Sequence, residues 1–309
     1  MADSLMTLAD LAKINSRDLY TEGTFSDLLQ SAPLLQRMPA AIAPLGDTFK
    51  YYVESANSVA VFRAANAGKD FTTSTDTEVS VSLKYVDASV KQDVATANAY
   101  IYGPEALIAM KAGRALANAF FVIEKQILQG TNADADGFNG LPDNAALSDV
   151  ADSQVIDAGG TTALTSVYAL RMGPSDCQVL VGNNGIISIG ETRQELTIDS
   201  SSKSFSAYVT PIDAWAGVTM GDKYSCARIA NVDAGSNKLT DAKIAEMLEQ
   251  FPGGAWPDVL VMNSRSAYQL QSSRTATNAT GSPAPWPAES QGIPIIVSPG
   301  LGNAETQVT

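Results

Sequence analysis

Histidine is absent from the 309 residues, and cysteine occurs only twice. Without histidine the chain lacks the side chain best suited to proton transfer near neutrality, and the commonest metal ligand. Enzymatic chemistry would have to rely on carboxylates, lysine or cysteine. Cys177 and Cys226 are too few for a disulfide framework and read as reduced, partly buried thiols. Positive charge is also scarce: 20 Lys and Arg against 33 Asp and Glu leave a net charge of −13. The basic residues are scattered, so the field repels phosphate backbones and argues against sequence-specific nucleic-acid binding. No apolar run is read as approaching the ~20 residues of a bilayer crossing. The opening "MADSLMTLADLAKINSRD" lacks the cationic start and apolar core of a secretory signal.

What is present describes an ordered globular chain, 45% hydrophobic and 17% charged, long enough for one large domain or two modest ones. "SLMTLADLAKIN" has the spacing of a short amphipathic helix. Pro33, Pro39 and Pro44 then forbid a long one, which predicts an extended arm leaning on something else. "FKYYVES" and "TEVSVSLKYVD" alternate apolar and polar residues with a period of two, predicting a long two-stranded ribbon with a polar tip around residues 63–76. Such a ribbon is marginal in water and needs a surface to lie on.

Residues 103–130 predict a helix with Pro104 in its first turn and Gly130 at its C-terminal cap. Lys111, Arg114, Asn118, Lys125 and Gln129 mark one face, while Leu107, Leu116, Phe120, Ile123 and Ile127 lie on the others. It would be ~39 Å long, a spine for a whole domain. Residues 144–162 read as a small, polar linker and 165–232 as β structure, with "GNNG" turning a hairpin between "CQVLV" and "IISI". A helix ("LTDAKIAEMLEQF"), a strand ("DVLVM"), a helix N-capped by Asn263, a loop over roughly 272–291 and a last strand ("IPIIVS") follow.

Several motifs invite chemistry. "NADADGFNGLPD", residues 132–143, places Asn132, Asp134, Asp136 and Asp143 like the ligands of a calcium loop. An EF-hand loop, however, ends in a bidentate Glu and continues into a helix. Here the twelfth residue is the shorter Asp143, after Pro142, so the preferred reading is a turn that closes the helix with Asx-type hydrogen bonds. "GNNG" and "FPGGAWP" are turn sequences without the context of a phosphate loop. Carboxylate pairs such as Asp134/Asp136 and Glu246/Glu249 read as solvated charges, and no nucleophile motif surrounds either cysteine. No catalytic residue, metal or cofactor is expected.

The arm, ribbon and spine, in that order, followed by "FNGL" at 138–141, resemble the major capsid protein of a tailed bacteriophage, the Hong Kong 97 fold. "KIAEMLEQF", then "GGAWPDVLVMNSRSAYQL", "GIPIIVSPGLGNAET" and "TSVYALRMG" are similar to further segments of that family. Residues 163–232 precede 239–306 here, the reverse of the order in some branches. The resemblance therefore implies that the second half is circularly permuted relative to them.

The resemblance implies an α+β fold in five parts: an N-terminal arm (1–45), an E-loop ribbon (46–95), the spine helix of a P-domain (96–145), a β-rich segment shared by P- and A-domains (146–238), and the A-domain helix–strand–helix with the last strand (239–309). It implies a structural protein of the virion, self-assembling in the bacterial host cytoplasm into hexamers and pentamers of an icosahedral shell. The packaged double-stranded DNA would be contacted only weakly and non-specifically, with no membrane involved. A scaffolding protein and a portal are the implied partners, scaffolding being expected as a separate protein because no long helical leader precedes the arm. Arg63, Lys69 and Asp70, at the E-loop tip, are the candidate subunit contacts. Some relatives crosslink a ribbon lysine to an asparagine, but no acidic catalyst is evident beside Lys69, and no crosslink is expected. The alternatives are an encapsulin-like compartment shell on the same fold and a calcium-binding module.

Overall fold

The computed structural model describes residues 31–43, 47–56, 60–68, 73–198, 202–278 and 282–309. The amphipathic segment at residues 4–15 lies outside them. In chain order the described elements begin with β1 (Ala40–Ile42), β2 (Thr48–Ala56), β3 (Thr75–Ser82), β4 (Lys84–Asp87) and β5 (Val90–Asp93). Two helices follow, α1 (Val94–Asn98) and α2 (Pro104–Gln129). Next come β6 (Val155–Asp157), β7 (Thr165–Leu170), β8 (Cys177–Val181), β9 (Ser188–Ile189), β10 (Arg193–Ile198), β11 (Ser204–Thr210), β12 (Ile212–Met220) and β13 (Cys226–Val232). The chain ends with α3 (Asp241–Glu249), β14 (Val259–Met262), α4 (Ser264–Thr277), β15 (Glu289–Ser290) and β16 (Ile293–Val297).

A six-stranded mixed sheet, ordered β15-β16-β14-β7-β13-β6, divides the interior in two. Its alternation sorts side chains between the faces. Val167, Ala169, Ile229, Leu260 and Met262 pack with Ile244, Met247 and Leu248 of α3 and Leu270 of α4. Tyr168, Leu170, Val259 and Val261 face the other way, onto Ile123, Ile127 and Leu128 at the end of α2. Burying one such leucine stabilises the fold by roughly 1.5–3 kcal/mol, so the two layers fix the spine firmly at its C-terminal end.

A second sheet runs β1-β8-β12-β4, with β9 on the β8 edge of β12. A third is ordered β10-β11-β5, and β2 and β3 form the ribbon. Strand "TEVSVSLKYVD", predicted as one element, divides at Leu83. That side chain is buried, its N–H donates to the Asp47 carbonyl at 2.6 Å, and the chain beyond leaves the ribbon to pair with β12. Pro211 likewise splits "SAYVTPIDAWAGVTM" between the third and second sheets.

"GNNG" is a turn, with Asn183, Asn184 and Gly185 all at positive φ, but not a hairpin. β8 gives one edge to β1 and the other to β12, so the following strand pairs with β12 instead. Residues 144–162 are more than a linker: Leu147 is fully buried, and β6 completes the six-stranded sheet in parallel with β13. Both thiols are fully rather than partly buried.

By length and composition alone α2 and its following turn could cross a bilayer, contrary to the sequence reading; the best 18-residue window has mean hydropathy 1.5. The C-terminal end of α2 is instead a packed element of the core, and no residue from Ala109 to Val122 is buried.

The C-terminal tail returns to the six-stranded sheet. Glu305 N donates to the Leu164 carbonyl at 3.0 Å, while the Asn231 side chain pairs with the backbone of Val308 at 2.9 Å in both directions. Gly160 N donates to the carbonyl of the same Asn231. The chain near 309 therefore adjoins residues 160–164.

Candidate functional site

The ribbon has an inner and an outer face. Phe49, Tyr51 and Val53 pair with Val81, Val79 and Thr77, and the apolar members are half-buried, whereas Lys50, Tyr52, Glu54, Glu78 and Ser80 between them are exposed. Near the base, Phe49 and Val81 pack on Leu83, Ala43 and Leu180, and the Tyr51 hydroxyl donates to the Met220 carbonyl at 2.6 Å. On the outer face Lys50 pairs with Glu78 at 2.6 Å; this bond raises the lysine's pKa and lowers the glutamate's. Both side chains are exposed, so the pair selects register more than it stabilises.

Toward the tip the described residues are exposed. Val61 is 59% exposed and Phe62 109%. Arg63 Nη1 donates to the Ala67 carbonyl at 2.8 Å, holding the tip in a turn through Asn66 at φ 64°. Of the three predicted contact residues, only Arg63 is placed; Lys69 and Asp70 lie outside the described residues.

A second uncovered surface follows the middle of α2. Phe120 and Val122 are each 41% exposed. Beside them, α2, residues 31–40 and the β8/β12 pair enclose an open apolar groove of ≈ 670 Å³. Its walls include Leu35, Met38, Ala117, Phe120, Val179 and Ala216, and no charged side chain among the described residues lines it. A third surface is the β10-β11 hairpin with the preceding loop, where Leu196, Ile198, Ile186 and Ile189 are exposed.

Two buried polar centres, missed by the sequence reading, tie distant segments together. Glu124 is fully buried on α2; one carboxylate oxygen accepts from Leu34 N (2.8 Å) and Leu35 N (3.1 Å), and the other accepts from the Ser298 hydroxyl. It joins arm, spine and last strand, and burial pushes its pKa up against those hydrogen bonds. The signal was available: Glu124 lies four residues after Phe120 and three before Ile127, inside an apolar face. At the second centre Arg228 Nη2 lies 3.5 Å from Glu305, Nε donates to Ser166 Oγ at 3.0 Å, and Nη1 donates to the Leu147 carbonyl at 3.1 Å. Glu305 also accepts from the Ser166 hydroxyl at 2.6 Å, which locks the tail to β7; burial raises its pKa as well.

The Asp-rich loop is the predicted turn. Asp143 accepts from Thr131 N (2.9 Å), Thr131 Oγ1 (2.7 Å) and Gly140 N (2.8 Å), and Asp134 Oδ1 accepts from Asp136 N at 3.0 Å. Gln126 donates to the carbonyls of Asp134 and Phe138. Gly140 is obligatory, because any Cβ there would overlap the Gln126 carbonyl and Gly130. Burial pushes both thiols far above their ordinary range, so neither is a ready nucleophile.

Residues 24–253 match the family described as major capsid protein GP7. No curated protein matches the sequence. Among solved structures, a chain of bacteriophage Epsilon15 is 16% identical with a TM-score of 0.68, the match covering 100% of this chain and 99% of that one. The bacteriophage JBD30 capsid is 14% identical with a TM-score of 0.50, over 94% and 98%. The holo-SrpI encapsulin complex of Synechococcus elongatus PCC 7942 is 12% identical with a TM-score of 0.44, over 75% and 98%. At these identities the likeness is one of fold.

Proposed function

The chain belongs to the major capsid protein GP7 family, and from that premise we propose how it builds its shell. It is a structural protein of a phage capsid with the Hong Kong 97-like fold, located in the virion. Copies associate into hexamers and pentamers that close an icosahedral head around double-stranded DNA, assembling in the host cytoplasm with a scaffolding protein and a portal. The mechanism is shape and burial. The ribbon acts as the E-loop, α2 as the P-domain spine, and the six-stranded sheet with α3 and α4 as the A-domain. Arg63, Lys69 and Asp70 contact the adjacent subunit, and many individually weak contacts sum to a stable container. Net charge of −13 keeps free subunits apart and DNA loosely held.

The observation that carries this reading is the family match, joined to exposed apolar side chains at the ribbon tip (Val61, Phe62) and along the spine (Phe120, Val122). Purified full-length chain, examined by negative-stain microscopy with and without scaffolding protein, should give closed polyhedral shells. Nuclease-protected DNA in particles from infected cells separates a head from an encapsulin-like compartment, which would hold a cargo enzyme. A persistent monomer under all assembly conditions would overturn the reading. We further infer that the second half is circularly permuted relative to some branches, supported by the adjoining of residues 160–164 and 305–308. A chain reordered as 1–162, 239–309 and 163–238, with 162 joined to 239 and 309 to 163, should fold with native circular dichroism; failure to fold would count against it.

A further inference from the structure

We propose that the open edge of β10 in one copy pairs, antiparallel and about a two-fold axis, with the β10 edge of a second copy, merging two three-stranded sheets into one; this rests on the shell reading above. Among the described residues no strand takes the second edge of β10. Its side chains are uncovered as well: every residue from Arg193 to Leu196 is exposed, Leu196 at 77%, and Ile198 is 63% exposed. Natural edge strands are commonly blunted by a proline, a bulge or an excess of charge. Residues 192–198, "TRQELTI", hold neither proline nor glycine, and their single Arg and single Glu cancel, in a chain whose net charge is −13. The pairing of β10 with β11 runs from Arg193 to Ile198 without a register shift. A regular, locally neutral edge carrying exposed leucine and isoleucine is a template for another strand.

Symmetry and charge identify the occupant and its register. A two-fold axis perpendicular to the sheet keeps each side chain on its own face, so the axis must pass through a residue and not between two. Centring it on Arg193 or on Glu195 would oppose like charges. A centre on Leu196 pairs neither charge, since Glu195 then meets Thr197 and Arg193 passes the end of the second strand. A centre on Gln194 sets Arg193 against the second copy's Glu195 and Glu195 against its Arg193, two opposite-charge cross-strand pairs. Neither residue has such a partner in its own sheet, where they stand opposite Val209 and Ala207. On the other face Leu196 comes to lie against Thr192 of the second copy. That residue continues the course of the strand, its hydroxyl bonded to the Thr210 hydroxyl at 2.8 Å. Neighbours around one ring meet head to tail, whereas a two-fold contact presents the same patch from both sides. The junction therefore ties copies of two adjoining rings. Its place in the fold suits this, because β5 attaches the third sheet to α2 at the helix's N-terminal end, away from the six-stranded sheet.

Single-cysteine variants test this, because only a residue on the two-fold axis meets its own counterpart. Directly opposed residues of antiparallel strands have Cα atoms about 4.5–5.5 Å apart, within disulfide reach. Leu196 would lie ~13 Å along the strand from the second copy's Leu196, out of reach. Mild oxidation of Gln194→Cys shells should therefore yield a disulfide-linked pair at twice the chain mass, and Leu196→Cys shells should not. Leu196→Cys co-assembled with Thr192→Cys should crosslink again. Cys177 and Cys226 are fully buried and stay silent. Glu195→Arg, at an exposed position, should leave the melting temperature of the free chain unchanged and raise the assembly threshold by about threefold or more. Adding Arg193→Glu to it exchanges the charges and should restore the threshold. Shells that form normally without the Gln194→Cys crosslink, or in which Leu196→Cys alone crosslinks, overturn the inference and leave the capsid reading intact. A charge exchange as defective as Glu195→Arg also overturns it. Wild-type chain that forms no shells overturns both readings, and does so before any substitution is made.

Discussion

Replacing Glu124 with alanine should free the arm from the spine. The substitution leaves the Leu34 amide and the Ser298 hydroxyl buried without their acceptor, and each unsatisfied group costs about 1–3 kcal/mol. Leu35 is only partly buried, so water can replace its lost bond. Relief of the carboxylate's own desolvation offsets part of the loss. The net expectation is destabilisation by about 2–4 kcal/mol, close to 1 M in urea midpoint at a slope of about 3 kcal/mol per molar. Tryptic cleavage at the exposed Arg37, three residues beyond Leu34, should accelerate in parallel. Glu124→Gln separates charge from shape, since its amide oxygen can still accept from both N–H groups and its amide nitrogen can donate to Ser298. It should sit near wild type at pH 7. The pH dependence has a definite sign. A raised native pKa means the folded state binds the proton more tightly than the unfolded state. Glu124's contribution is therefore fully present below the ordinary value of 4.5 and declines as pH rises through its native value. Glu124→Gln should flatten that decline. An alanine variant within about 1 kcal/mol of wild type with unchanged cleavage at Arg37, or a glutamine variant as damaged as alanine, would refute this reasoning.

Gly140→Ala should lower the melting temperature and loosen the 130–143 turn, because the added methyl meets the Gln126 carbonyl; a cost of about 2 kcal/mol or more is expected by calorimetry. Asp143→Ala should do similar damage by removing three hydrogen bonds, while neither calcium nor a chelator should move the wild-type melting temperature. Arg274 meets Asp241 through two 2.7 Å bonds, and that contact holds the carboxylate's pKa below its ordinary value. Its contribution is present above the ordinary value of 3.8 and lost as pH falls through the native one. Because the pair is about one-third exposed, Arg274→Lys should cost no more than ~1 kcal/mol in a urea titration.

Much of the fold was legible because local rules and tertiary packing agreed. Pro104 and Gly130 delimit α2 where helix-end chemistry predicts, and Asn263 accepts from Ser266 N as an N-cap. The ribbon's period of two gave its pairing. Its break did not show, because Val81, Leu83 and Tyr85 continue one alternation. Only burial of Leu83 against the second sheet reverses the phase, leaving Tyr85 52% exposed while Val86 turns toward the main core. "GNNG" had the right turn residues and the wrong partner strand, since edges already taken by β1 and β12 are not visible locally. Glu124 and the Arg228–Glu305 pair join segments far apart in the sequence, 90 and 77 residues respectively. Separations of that kind leave no periodic trace, and the only local hint was a carboxylate within an apolar helix face. The groove is a tertiary object, formed by residues 31–40, α2 and two strands.

Hydrogen exchange over residues 48–56 and 75–82, compared between the free chain and closed shells, probes the uncovered finger itself. The amides of the outer half of β2 and β3 should exchange rapidly in the free chain, where 54–56 and 75–78 are exposed, and slow by at least about tenfold on assembly. Equal, strong protection in both states would mean that the finger is already covered by its own chain, and copies of this protein would then not be what shields it.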